Sequence, residues 1–198
     1  MQELDDVEAF SDICTEKRGV NLTTLQQVMT LAVEIAREGR EGRKVGAMFV
    51  VSDEEETLKR SKPMILDPLW FHPASEKRIE DPNARETIKE LTLLDGAFIV
   101  SDDGVVLAAC RYINASPEGI DLPLGLGSRH IAAAAISNVT GAVAVVVSES
   151  SVVRVFDDGK MISEIIPELW LLRRYSLHLS TPYSTRSAAN MTVVTKDE

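Results

Sequence analysis

The sequence predicts an α/β domain with a central mixed β-sheet flanked by helices. Leu22, Leu25, Met29, Ala32 and Ala36 recur at helical spacing. Two pairs of short apolar runs each flank an Asp-Asp-Gly turn, at 102–104 and 157–159, as hairpins do. The run Ala142–Val147 is almost wholly apolar, as a strand buried on both faces should be. Helices covering a sheet that holds hairpins and a buried strand give a mixed α/β layer architecture.

In chain order, residues 3–14 predict a short acidic helix. Asn21 can cap the helix that carries the apolar stripe, and Gly39 can end it. Val45–Val51 has strand length, whereas the acidic residues Asp53–Glu56 read as a solvated loop. Pro63, Pro68, Pro73 and Pro82 make 61–82 an irregular connection. Asp81-Pro82 opens a helix in which Ala84, Ile88 and Leu91 face one way. Gly96–Val100 and Val105–Cys110 form the first hairpin, and a Gly/Pro-rich loop covers 114–127. Ser128–Asn138 is an alanine-rich helix; Val152–Phe156 and Met161–Ile165 are the second hairpin. Pro167–Leu179 predicts a last helix with Arg173-Arg174 in its C-terminal half, and the Ser/Thr-rich end from Thr181 is expected to fray.

The chain of 198 residues is 44% hydrophobic and 26% charged, enough for one domain with a substantial core. No apolar run approaches a membrane span, and the acidic N-terminus has no signal-peptide pattern. Cys14 and Cys110 form neither a metal spacing nor a disulfide framework, which makes a reducing cytoplasm the expected location. A net charge of −10 argues against broad nucleic-acid binding. A small anionic ligand would need a local cationic pocket with a metal ion. Lys59, Arg60 and Lys62 read as a solvated loop, Trp70-Phe71 as packing, and His72 and His178 as structural.

Three patches carry chemistry. In "LGLGSRHIAAAA", Gly127 precedes Ser128, Arg129 and His130 at the mouth of a helix built for burial. Free backbone N–H groups, the positive end of the helix dipole, a guanidinium and an imidazole together make a phosphate cradle. Equally open is a plainer arrangement, with Ser128 as a cap and Arg129 paired to a surface acid. Neither a P-loop nor a Rossmann fingerprint is present. Asp95-Gly96-Ala97 sets a carboxylate beside bare backbone, suited to a metal or a hydroxyl; alone, a turn aspartate with a packing glycine is favoured. Ser148-Glu149 leaves a buried strand where ligand crevices often lie, and alone it reads as a strand leaving the core.

Taken together, Asp95-Gly96-Ala97 and Gly127-Ser128-Arg129-His130 resemble the two hallmark motifs of the diadenylate cyclase family. Around them, "DGAFIVSDDGVVLAA", "DLPLGLGSRHIAAAA", "AVAVVVSES" and "KVGAMFVV" resemble that family's supporting segments in order, over roughly 43–165. The resemblance departs at Ile131, where the family commonly has a second arginine, and at Ser150, where it commonly has a second glutamate.

The resemblance implies an N-terminal helical segment (1–42) packing on the core, a diadenylate cyclase domain (43–180) and a C-terminal tail (181–198). It implies a nucleotidyltransferase that condenses two ATP into cyclic di-AMP and two pyrophosphates. Each 3'-hydroxyl would attack the other nucleotide's α-phosphate in line, across a face-to-face dimer. Asp95, Arg129 and His130 are the expected catalytic residues. Gly96, Ala97, Leu126, Gly127, Ser128 and Ser148 would bind ATP, with the Leu122-Pro123 loop beside the adenine. Asp95 and Glu149 would hold Mg2+ or Mn2+. Neither nucleic acid nor membrane is an expected partner. The runner-up is a nucleotide-binding sensor on the same fold that no longer cyclises ATP, suggested by Ile131 and Ser150.

Overall fold

The computed structural model describes residues 10–15, 19–167, 182–188 and 191–196. The first helix, α1 (Leu22–Glu38), starts where Asn21 accepts from the Thr24 N–H and ends where the Gly39 N–H donates to the Ile35 carbonyl, as its sequence predicts. Strand β1 (Ala47–Val51) follows. Helix α2 (Glu54–Lys59) then replaces the expected acidic loop. Its three leading glutamates suit a helix N-terminus, and Lys59 bonds back to Glu55 and Glu56. Strand β2 (Ser61–Pro63) and a short 3-10 turn (Ala74–Glu76) interrupt the irregular segment. Helix α3 (Pro82–Leu91) is capped by Asp81, which accepts from the Ala84 N–H.

Strands β3 (Ala97–Val100) and β4 (Val106–Ile113) form the first hairpin. Cys110 does not end its strand; it sits inside β4 at a break in register, with φ 54°. Helix α4 (Ser128–Val139), β5 (Val143–Val147), β6 (Val153–Asp157) and β7 (Lys160–Ile166) complete the expected series. Beyond it, β8 (Tyr183–Ala188) and β9 (Met191–Lys196) pair with each other, and β9 with β7. The end expected to fray is therefore a hairpin extending the sheet, with Val193 and Val194 in the core. The expected helices at 3–14 and 167–179 lie mostly outside the described residues, as do Arg173-Arg174 and His178; residues 10–13 form one turn, with Phe10 and Ile13 buried.

Among the described residues, nine strands form one sheet in the order β2-β4-β3-β1-β5-β6-β7-β9-β8. Among these described strands only β1 and β3 pair in parallel, so the sheet is mixed. Side-chain alternation assigns the two faces. Phe49, Val51, Val143, Val145 and Val147 join α1 and Ile88 of α3 in one core. Met48, Val50, Ala144 and Val146 join Ala133, Ala134 and Ile136 of α4 in the other. Strands sandwiched this way need apolar residues on both faces, hence the unbroken runs.

The β6–β7 hairpin grips α4 at both ends. At the C-terminal end, the Gly159 N–H donates to Ser137 Oγ at 3.3 Å. A Cβ on Gly159 would lie 2.8 Å from the Asn138 side chain, so only glycine lets the turn approach.

Candidate active site

Topology gathers the site. Parallel pairing puts the amino ends of β1 and β3 at one edge of the sheet, so Gly46 and Asp95 lie there. Antiparallel β5 ends at that edge, Ala47 opposite Val147, and delivers Ser148-Glu149. β6 starts there and β7 returns to it. The mouth of α4 opens above. Between them is a cavity of about 540 Å³, lined by residues 125–130, 147–150, Val152, Arg154, Glu164 and Ile166.

Helix α4 begins at Gly127, which makes no side-chain cap bond, so Ser128 is the first helical residue and not the cap. The Gly127 carbonyl accepts from the His130 and Ile131 N–H groups. Arg129 reaches across the cavity mouth. Its Nη2 donates to Asp95 Oδ1 at 3.1 Å, and its Nη1 lies 3.7 Å from Glu149 Oε1. The arginine side chain is 32% exposed and its two carboxylates 81% and 73%, so solvent and ligand reach the acids first. Asp95, Arg129 and Glu149, picked from three separate stretches of sequence, thus meet at one point.

Gly46 makes the meeting possible. A Cβ there would stand 2.6 Å from Arg129 Nη1. The sequence flagged the Gly-Ala strand but not this clearance. At the end of β5, the Ser148 N–H bonds the Val152 carbonyl, Ser151 adopts φ 63°, and the Ser148 and Ser150 hydroxyls bond each other. Glu149 and Ser150 are thereby turned outward on a tight loop.

Other expected site residues are placed differently. Gly96 and Ala97 do not line the cavity. Gly96 has φ 113°, and its missing Cβ would overlap the Cys110 backbone at 2.5 Å, so it serves the β4 irregularity. Ala97 is buried in the α4-side core. Leu126 lines the cavity, whereas Leu122 packs beside it against that same core. His130 does not stand free at the helix mouth. It is 7% exposed, with Nε2 3.2 Å from Arg154 Nη1. Arg154 in turn donates from Nε to Glu164 Oε1 at 2.7 Å. This pair was missed by sequence reasoning, although one charge inside each of the apolar runs "VVRVF" and "MISEII" was the available signal.

Two arginines face three carboxylates here: Arg129 and Arg154 against Asp95, Glu149 and Glu164. Their formal sum is one negative charge, so a polyphosphate would need a cation with it. Among the described residues no group of three or more His, Cys, Asp or Glu is set to hold a metal. Two exposed carboxylates plus ligand phosphates are a donor set that a hard divalent cation commonly uses, and the oxygen chemistry of Asp95 and Glu149 fits it.

Residues 34–161 match the model of the DAC family, described as "DisA bacterial checkpoint controller nucleotide-binding". The chain belongs to the DAC family. Two curated relatives are each called diadenylate cyclase. That of Methanocaldococcus jannaschii is 48% identical over 75% of this DAC-family chain and 47% of its own length. That of Haloferax volcanii is 42% identical over 74% of this chain and 54% of its own. The chain thus spans about half the length of the curated relatives it matches. Among solved structures, DacA from Staphylococcus aureus, as a double mutant, aligns with TM-score 0.50 at 25% identity, over 70% of this chain and 84% of that one. A hypothetical membrane-spanning protein from Bacillus cereus shares the fold, with TM-score 0.51 at 21% identity over 68% of this chain and 59% of its own. Among the described residues of this DAC-family chain, no helix is long and apolar enough to cross a membrane.

Proposed function

We propose that this protein is a diadenylate cyclase, joining two ATP into cyclic di-AMP and releasing two pyrophosphates. What carries the reading is the convergence of Asp95 and Glu149 on Arg129 at the mouth of a cavity opened by a helix N-terminus. The family and the two relatives named for this activity support it.

The triphosphate lies against the amino end of α4. The Gly127–Ser128 backbone and the Ser128 hydroxyl donate to phosphate, and the dipole favours the charge. Arg129 leaves its carboxylates to fork phosphate oxygens. Asp95, so released, accepts the hydrogen bond of the 3'-hydroxyl and orients it. Ser148 closes the far wall and Leu126 packs against the base. Asp95 and Glu149 would hold Mg2+ or Mn2+, which would supply positive charge to offset that of the phosphates. In each half-reaction a 3'-oxygen bonds to phosphorus as the P–O bond to pyrophosphate breaks. The hydroxyl proton passes to Asp95 and then to water. Positioning and charge neutralisation do most of the work.

One cavity holds one nucleotide, so two subunits meet face to face about a two-fold axis. Such an enzyme works in the cytoplasm, where ATP is supplied.

Incubation with ATP and Mn2+, followed by chromatography for cyclic di-AMP and pyrophosphate, tests the reading. Product should form, and Asp95→Asn should abolish it while the melting temperature stays within a few degrees. Near-normal turnover in Asp95→Asn removes Asp95 from the mechanism. An ATP-dependent thermal shift without product favours the sensor reading, for which the exposed Ile131 and the Ser148–Ser150 hydroxyl pair are the structural grounds.

A further inference from the structure

Beneath the helix mouth runs a buried polar relay. Arg154 and Glu164 are directly opposite on β6 and β7, with side chains 6% and 1% exposed. Arg154 also donates to His130, because a guanidinium offers no acceptor; the Nε2 of His130 therefore accepts. The Phe156 ring stands edge-on to the imidazole at 6.1 Å. All three polar residues border the cavity. A buried ion pair adds little net stability over a well-packed apolar pair. Fold maintenance alone does not call for these charges. Their position does: His130 follows Arg129 in the first turn of α4, so whatever fixes the rotation of one fixes the aim of the other.

We propose that Arg154, held by Glu164, is a positioning residue for the phosphate site: by donating to His130 it sets the first turn of α4 and so aims Arg129 at the triphosphate. His130 is then an acceptor anchor, not a cation offered to phosphate. This rests on the cyclase reading above.

The test compares kcat and KM for ATP with Mn2+ in four variants, together with the ring-nitrogen NMR signals of His130. Arg154→Met and His130→Met should each lose about 10–100-fold in kcat, the usual cost of losing an outer orienting contact. KM should change by less than about threefold, since Arg129 and the helix N-terminus remain to bind phosphate and what is lost is their alignment in the transition state. His130→Gln keeps an acceptor at the same reach and should retain most of the rate. If Arg154→Met does not fold, the Arg154→Met/Glu164→Met double variant removes both charges and should show the same kcat deficit. Wild-type turnover in Arg154→Met or in the double variant overturns the proposal, as does His130→Gln falling as far as His130→Met. Should the parent protein make no cyclic dinucleotide, the cyclase reading fails by itself. The relay is then judged by NMR: a protonated Nε2 on His130 at neutral pH overturns it, and an unprotonated Nε2 that is perturbed in Arg154→Met upholds it.

Discussion

Gly46 shows how a residue without a side chain can govern one that has a long one. Its missing Cβ leaves room for the tip of Arg129. Gly46→Ala should therefore push aside a flexible guanidinium and leave the backbone alone. We expect stability to change by less than about 1 kcal/mol, while turnover drops by an order of magnitude or more, because small misplacements of a binding group are costly. Thermal melts beside ATP turnover check both halves. Gly96→Ala is the opposite case. There the obstacle is the Cys110 backbone and φ is positive, so a loss of about 2–3 kcal/mol is expected in denaturant unfolding. Cys110 itself should resist alkylation at pH 8 in the folded protein. Burial foremost, then the carboxylates of Asp67 and Asp95, raise its thiol pKa above the usual range. Labelling as fast as a free thiol would contradict this. At this scale Asp95, Arg129 and Glu149 were legible because their chemistry is local to short motifs. Gly46 as a clearance and the Arg154–Glu164 pair were not, since each acquires its meaning only when distant strands align.

Among elements, α1 and α3 are joined by ion pairs rather than by apolar contact alone. Arg85 meets Glu34 at 2.6 Å, and Lys89, only 6% exposed, meets Glu34, Glu38 and Glu86. Burial acts to lower the Lys89 pKa, but the hydrogen bonds that Lys89 donates to Glu86 and Glu34 outweigh it and raise it. The hydrogen bond from Lys89 lowers that of Glu86. The lysine contribution is thus complete below its unfolded value of 10.5 and lost as pH climbs through the higher folded value. The Glu86 contribution is complete above 4.5 and lost as pH falls through its lowered value. Lys89→Met should cost about 1–3 kcal/mol near neutrality and flatten both limbs of the stability-against-pH curve. Urea melts across the range test it; limbs as steep as the parent's would show that the lysine does not carry the effect. Helices with a capping residue were legible at once, as Asn21 and Asp81 show. Helix α2 was not, because Asp53 has φ 44° and makes no cap bond, leaving only a charge cluster to read. Strand β8 escaped notice because its polar Ser/Thr pattern suits the sheet edge it occupies as well as a tail, and β9 because its apolar run is only the pair Val193-Val194.

For the whole molecule, the mixed sheet and its flanking helices followed from periodicity and turns, whereas strand order did not. Nothing in a linear pattern announces that β1 lies between β3 and β5. That order nonetheless decides where the chemistry sits, by bringing Gly46, Asp95 and Ser148 to one edge. If two such edges must face each other, specific activity should fall on dilution as the pairs separate. A constant rate per subunit while sizing shows monomers would be the contrary result. The two-ended grip of the β6–β7 hairpin on α4 has one more consequence. If the site is a cyclase site, the hairpin turn is a handle on the reaction from the opposite end of the strands. Nudging the turn, for example with Gly159→Ala against Asn138, would tilt the barrel of the gun without touching its muzzle. On the cyclase reading, catalytic speed can therefore drift through changes at a bend remote from the nucleotide site.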